Sequence, residues 1–349
     1  MQPEAHSAQS HPANKARHWF ALNTWPAVWR SSLATLALVV AALGMITARE
    51  WGEMLHQWWN IDTYNHILLV PLIVAWLVWL KADELAKMAP RPSGWGLAIV
   101  TAGLALWLGG RITGLNLLAH AGAVGALQGA IVAMLGVRVS VALFLPIAFL
   151  AFLVPFGDEI IPFLQAITAE MAIAITLFSG VPAQIDGIYI DTPAGLFIVA
   201  EECSGVKFLI AMITLAVLIA FTRFESWTRR AILMLAAIIV PVLANGVRAW
   251  GTIYIAQFAG IEFAAGFDHI VYGWIFFAIV VSVILAAAWR FFECEPEDYG
   301  FTAEEVRQQR WIDRFEAKGE SALTVAAAVV ALALGAGILA TILTPAALV

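Results

Sequence analysis

Charge is what this chain most conspicuously lacks. Asp, Glu, Lys and Arg make up 13% of its 349 residues, about half the ~25% usual in soluble domains. Apolar residues make up 62%, and the mean hydropathy is +0.85. A soluble fold of this size cannot hide so much apolar surface, because even large domains leave much of their surface in water. A soluble enzyme and a disordered chain are both excluded. A basic excess is missing too: 19 Lys+Arg stand against 25 Asp+Glu, a net charge of −6, which leaves no electrostatic footprint for nucleic acid. Cysteine is scarce. Cys203 and Cys294 form no C-x-x-C pair, which argues against zinc sites and dithiol chemistry. H-E-x-x-H, G-x-S-x-G and Walker patterns are missing, as is a signal-peptide pattern at the start. No metal and no cofactor is implied.

What is there is a series of long apolar runs. They fall at 31–48, 66–80, 94–110, 117–136, 139–155, 203–222, 230–248, 269–289 and 322–344. The expected class is an all-α polytopic membrane protein with about nine transmembrane helices. A further segment, 160–178, is apolar but carries Gln165, Glu170 and two Thr. Loop charges orient the chain. Lys15, Arg17 and Arg30 place the N-terminal tail 1–30 in the cytoplasm. Glu50, Glu53 and Asp62 mark an outer loop, Lys81, Lys87 and Arg91 an inner one, Arg138 an inner one, and Asp158 and Glu159 an outer one. If 160–178 crossed the membrane, Arg223, Arg229 and Arg230 would face out. An interfacial or re-entrant segment keeps them inside, together with Arg307, Arg310, Arg314 and Lys318, and is the preferred reading.

The main membrane domain is thus expected over 31–290. A cytoplasmic linker at 291–321 with a short amphipathic helix follows, then an additional C-terminal helix at 322–344. Residues 187–199, with the turn Asp191-Thr192-Pro193-Ala194-Gly195, read as a small extracytoplasmic β-hairpin leading into Cys203. Cys294 lies past the inner end of another helix, roughly 30 Å away across the core. A bridge between the two is therefore excluded, and both are expected as thiols.

Three polar groups fall at one outer boundary on consecutive spans. Glu202-Cys203-Ser204-Gly205 opens one helix, Asn245-Gly246-Val247-Arg248 closes the next, and Asp268-His269 with Tyr272-Gly273 opens the third. A cysteine at a helix start is ordinarily a small buried hydrophobe, an arginine at a span end an interface anchor, and a histidine beside an aspartate a cap. Together they form a coherent catalytic set. The helix N-terminus favours a Cys203 thiolate. His269 can pair with it or protonate a leaving amine. Asp268 can cap the helix carrying His269. Arg248 can donate to an oxyanion. Gly205 and Gly273 allow close approach. His66, in Tyr64-Asn65-His66, is a rival imidazole at the same face. His120, within a span, is expected to satisfy a backbone carbonyl.

The stretches A-E-E-C-S-G-V-K-F-L, V-P-V-L-A-N-G-V-R-A-W-G and D-H-I-V-Y-G-W-I-F-F resemble the exosortase/archaeosortase family, closest to its exosortase A branch. Y-N-H-x-x-L-x-x-P from Tyr64 to Pro71 and V-P-F-G-D-E from Val154 to Glu159 also look like that family. The resemblance covers roughly residues 60–290, and the order and spacing of the Cys, Arg and His blocks are its most specific part. Glu202 departs from the small residue more often found there. The resemblance implies an integral inner-membrane cysteine protease/transpeptidase of Gram-negative bacteria, with its site facing the periplasm and a link to exopolysaccharide production. Substrates would be proteins with a C-terminal Pro-Glu-Pro motif, a transmembrane helix and a basic cluster. Cys203 would be the nucleophile, with Arg248 and His269 as the other two members. The lipid bilayer is the remaining partner. Two other readings are a non-catalytic transporter or scaffold subunit of an exopolysaccharide export system, and an acyl or glycan transferase with His66 or His269 as base. The scarcity of mid-span charges counts against a transporter.

Overall fold

A computed structural model of the chain describes residues 26–267, 273–316 and 320–344. In chain order its elements are α1 (Ala27–Ile46), α2 (Ala48–Asn60), α3 (Val70–Leu80, entered through the 3-10 turn Asp62–Leu69), α4 (Trp95–Thr113), α5 (Asn116–Ala142), α6 (Phe144–Phe149) and α7 (Ile161–Phe178). Then come β1 (Gln184–Asp186), β2 (Tyr189–Thr192), β3 (Gly195–Ile198), α8 (Val206–Arg223), α9 (Trp227–Ala259), α10 (Ile261–Phe267), α11 (Gly273–Trp289), α12 (Ala303–Gln308), α13 (Arg310–Glu316) and α14 (Ala322–Leu343). The chain is an all-α polytopic membrane protein with one small sheet. Among the described residues, eight stretches are long and apolar enough to cross a bilayer: Ala27–Ile46, Asp62–Leu80, Trp95–Thr113, Asn116–Ala142, Asp158–Phe178, Val206–Arg223, Trp227–Ala259 and Ala322–Leu343.

The runs 117–136 and 139–155 are two helical segments that meet at Gly136, as expected, and fold back on each other: Gln128 on the first donates to Ile147 O on the second (2.7 Å). The range given for α5 takes in both sides of that kink, and α6 and the turn Leu150–Leu153 continue the second segment. The break expected near Arg138 is a kink at Gly136, whose φ of 83° only glycine adopts readily. There Arg91 N–H donates to Leu135 O (3.2 Å) and Ser93 N–H to Ala133 O (2.9 Å), capping carbonyls that the kink frees. Arg138 pairs with Asp313. The segment 160–178 forms one continuous helix, α7, and the run 269–289 is helical from Gly273, its first residues lying outside the described ones. One difference from the sequence reading is in the sheet: the expected hairpin is a three-stranded antiparallel sheet, β1-β2-β3, because Gln184–Asp186 adds a strand in register with Tyr189–Asp191.

The chain divides into two compact units. The first takes in the described residues of Met1–Glu53, Leu72–Ala151 and Phe301–Val349. Its core joins α1, α4, α5 and α14 through Val39, Leu43, Trp107, Ala126 and Val329, so the C-terminal helix is an integral member. The seam between α4 and α5 is built on glycine at seven-residue spacing: Gly96, Gly103 and Gly110 of α4 lie against Ala133, Ala126 and Ala119, and Gly122 and Gly129 of α5 against Trp107 and Val100. A methyl group at Gly122 would fall on the Trp107 backbone, and one at Gly103 on that of Ala126. Such contact is how helices gain dispersion energy in lipid, where no hydrophobic drive exists between them.

Several charges in this unit are paired. Glu50, 1% exposed, accepts from Arg111 (3.1 Å). His120 meets the Glu53 carboxylate at 3.2 Å and not a backbone carbonyl, because α2 brings an acid within its reach. Burial works against the Glu53 charge, but hydrogen bonds from Arg49 and His120 hold its carboxyl below the usual range. The part of the 291–321 linker that belongs here is docked. Val306 and Ile312 are buried against Ala142, Ala303 N–H donates to Glu84 (2.7 Å), and Thr302 and Glu305 form a capping box on α12.

The second unit comprises Met54–Pro71 and Phe152–Gly300. Helices α8 and α9 lie antiparallel, joined by a short turn at Phe224–Ser226, and pack through Ala216, Ala220 and Ala237. Helix α9 has 33 residues and is thus about 50 Å long, well beyond the ~30 Å hydrocarbon core. Helix α7 runs beside its second half in the same sense: Thr168 meets Asn245, Met171 meets Gly246 and Ser179 meets Trp250. The sheet caps that end, with Ile190 fully buried against Ala169, Ala172 and Ile253. The Tyr64 hydroxyl donates to Asp158 (2.6 Å), and the Trp58 indole to Leu153 O (3.1 Å).

The glycine seam gives a direct test. Gly122→Ala is expected to destabilise the protein by about 1–3 kcal/mol through overpacking, lowering its thermal midpoint in detergent. Gly109→Ala, on the same helix pair with nothing within 4 Å of the new methyl, is expected to leave the midpoint unchanged or raise it by up to about 1 kcal/mol. Equal behaviour of the two variants would refute the seam.

Candidate active site

The segment between β3 and α8 is where the sequence concentrates polar groups. After Ile198 the backbone leaves the sheet and makes a 3-10 turn over Glu201–Cys203 before α8 begins. Such a transition frees backbone groups that apolar surroundings cannot satisfy. Side chains from two other helices take them up. Gln165 of α7 donates to Val199 O (2.8 Å). Asn245 of α9 donates to Cys203 O (2.8 Å) and to Thr168 Oγ1 (3.0 Å). Within the turn, Cys203 N–H donates to Ala200 O (2.9 Å) and Ser204 N–H to Glu201 O (3.1 Å). The buried Ser204 hydroxyl accepts from Val206 N–H (3.3 Å) at the first turn of α8.

Gly205 is the N-cap of α8 with φ 83°. A Cβ there would stand 2.7 Å from Asn245 Cγ, so both its backbone conformation and its bareness are needed for the Asn245 amide to reach Cys203. Arg248 lies one turn beyond Asn245 on α9 and is 6% exposed. Its guanidinium sits 5.8 Å over the Phe208 ring, which stacks on Phe277 of α11 at 4.6 Å. Burying an arginine at this depth is costly unless it serves a site.

Cys203, Asn245 and Arg248 line one cavity of about 60 Å³, closed by Ile190, Phe197 and Val199 from the sheet side and by Thr252 and Ile253 from α9. The structure therefore brings two of the three expected members to one cavity. The third, His269, and its neighbours Asp268 and Tyr272 lie outside the described residues. Gly273 is buried at the start of α11. Glu202 is exposed. His66 does not line the cavity; its Nδ1 donates to Thr63 O (3.0 Å). Cys294 lies at the opposite end of α8, its thiol bonded to Thr222 O (3.5 Å) and pushed up by burial and by Glu225. Neither cysteine is in a disulfide.

Sequence reasoning missed Thr168, Gln165 and Thr252 as parts of this site. Gln165 and Thr168 are three residues apart in an apolar helix, which places both on one face. That spacing was the available signal, and both side chains are buried.

The family model for the transmembrane exosortase family (Exosortase_EpsH) matches residues 58–286, more than half of the chain. The chain belongs to this family, a class of multi-pass membrane proteins. No curated protein and no solved structure matches it.

Asn245 carries a prediction. Asn245→Ala leaves the carbonyl of Cys203 without its donor in apolar surroundings and is expected to cost about 2–3 kcal/mol. Thr168→Val, which removes one hydroxyl at similar volume, should cost about 1 kcal/mol. Thermal unfolding in detergent ranks the two, and the reverse order would contradict the bonding described.

Proposed function

We propose that the protein is a membrane-embedded cysteine transpeptidase that cleaves C-terminal Pro-Glu-Pro sorting signals on the outer side of the bacterial inner membrane. The single observation that supports this reading is the shared cavity of Cys203, Asn245 and Arg248, in a chain whose family is exosortase. The Cys203 thiolate attacks the scissile carbonyl carbon. Arg248 stabilises the oxyanion of the tetrahedral intermediate. The C–N bond breaks, and His269 donates a proton to the amine of the departing transmembrane tail. The resulting thioester is opened by an acceptor nucleophile, which returns the thiol. Ser204 and Gly205 shape the turn bearing the thiol, and Asn245 holds it. Family membership and the positive-inside rule together support the orientation with the cavity facing the periplasm and Arg223, Arg229 and Arg230 facing the cytoplasm. Helix α7 then accompanies the part of α9 that rises beyond the hydrocarbon core.

Co-expression with a tagged Pro-Glu-Pro substrate tests the reaction. Cys203→Ala is expected to abolish processing. Arg248→Lys is expected to reduce it by at least about a hundredfold, since an ammonium cannot reproduce the planar fork of a guanidinium. Undiminished processing by Cys203→Ala would end the transpeptidase reading and favour a scaffold. Orientation has its own measurement: in intact spheroplasts a membrane-impermeant maleimide should label Cys203 and spare Cys294. Labelling of Cys294 alone would invert the orientation.

A further inference from the structure

We infer that the open edge of β3 is the docking strand for the substrate, whose extended Pro-Glu-Pro segment adds to the sheet as a fourth strand beside Cys203. The inference rests on the transpeptidase reading and adds how the substrate is held. Strand β3 lies at one edge of the sheet β1-β2-β3. Val199 N–H donates to Ile188 O (2.9 Å), and Phe197 stands opposite Ile190, so the backbone of Phe197 and the N–H of Val199 turn toward β2. These directions alternate along an antiparallel strand, so the backbone groups of Leu196 and Ile198 turn outward. The Ile198 carbonyl accepts from Ala200 N–H (3.0 Å). Among the described residues, no strand takes up the N–H and carbonyl of Leu196 or the N–H of Ile198.

Position, composition and hydrogen-bonding pattern select the occupant. Phe197, Ile198 and Val199 line the same cavity as Cys203, so a segment laid along this edge is delivered to the thiol. Edge strands ordinarily carry charge or proline against unwanted pairing. Strand β1, at the other edge, reads Gln-Ile-Asp, whereas β3 reads Gly-Leu-Phe-Ile without a charge, and Leu196 and Ile198 are exposed. The edge beside the cavity is the one left open. Pro-Glu-Pro matches it. Proline has no N–H and within sheets is confined to edge strands, and a residue that precedes proline is held extended. The two prolines fall on alternate residues, so their missing donors lie on one side of the strand. The glutamate turns its N–H and carbonyl to the other side, toward Leu196, the β3 residue with both groups open. The outer edge of the added strand then lacks donors, and the sheet stops at four strands.

The experiment uses the full chain in membranes. Leu196→Cys is introduced into the Cys203→Ala protein, and single cysteines are scanned through and around the motif of a membrane-anchored Pro-Glu-Pro substrate. On mild oxidation, disulfides should form at every second substrate position, the alternation of a paired strand. Gln184→Cys, exposed on the β1 edge, should capture none. Equal capture at consecutive positions, equal capture from Gln184→Cys, or bridging of two copies of the chain in preference to the substrate would overturn the inference. In the active protein, Leu196→Pro removes the outward N–H without touching the ladder to β2. It should slow processing by about three- to tenfold, more than Leu196→Ala, which shortens the same side chain and keeps the N–H. Alkylation of Cys203 by a small maleimide at the parental rate shows that the site is intact. Processing by Leu196→Pro at least as fast as by Leu196→Ala, with Cys203→Ala inactive, would refute the edge pairing and leave the transpeptidase reading standing.

Discussion

The amide of Asn245 is the interaction on which the second unit turns. A chain that leaves a strand and enters a helix within a few residues frees backbone groups, and in apolar surroundings water is not there to take them. Asn245 spends one amide hydrogen on the Cys203 carbonyl and the other on Thr168, which joins the lead into α8 to both α7 and α9. Much of the local sequence follows from this. Gly205 must lack a side chain for the amide to fit, Thr168 must carry a hydroxyl, and Gln165 must reach Val199 to hold the preceding residue. The backbone of Cys203 is thereby tied to α9.

Few charges exist in this chain, and several of them are buried. In the first unit Glu50 faces Arg111 and Glu53 faces His120. These pairs answer their own desolvation and tie α2 to α4 and α5, a positional use of charge that adds little net stability. Arg248 is buried in the second unit. It faces an aromatic ring on one side and a cavity shared with a cysteine on the other.

The polytopic class, the order of the apolar runs and the convergence of Cys203 with Arg248 were legible in the sequence, because apolar length and the position of ionisable groups are local properties. What was not legible depended on partners distant in the chain. The kink at Gly136 exists because Arg91 and Ser93 supply the missing donors. His120 pairs with an acid because α2 delivers Glu53. The strand at Gln184–Asp186 is too short and polar to announce itself and is defined only by its neighbour. The linker's capping box, Thr302 with Glu305, was readable as a pattern, but its docking through Val306 and Ile312 was not.

The glycine seam between α4 and α5 bears on how the chain is made. The two helices are joined by a turn of two residues, Gly114 and Leu115, with Gly114 at φ 73°. Backbones in contact along the whole length of such a hairpin leave no place for lipid between them. The pair therefore gains its packing energy only when both helices are in the bilayer together. The short turn keeps the two packing faces in register, so the energy of the seam is available as soon as the second helix lies beside the first.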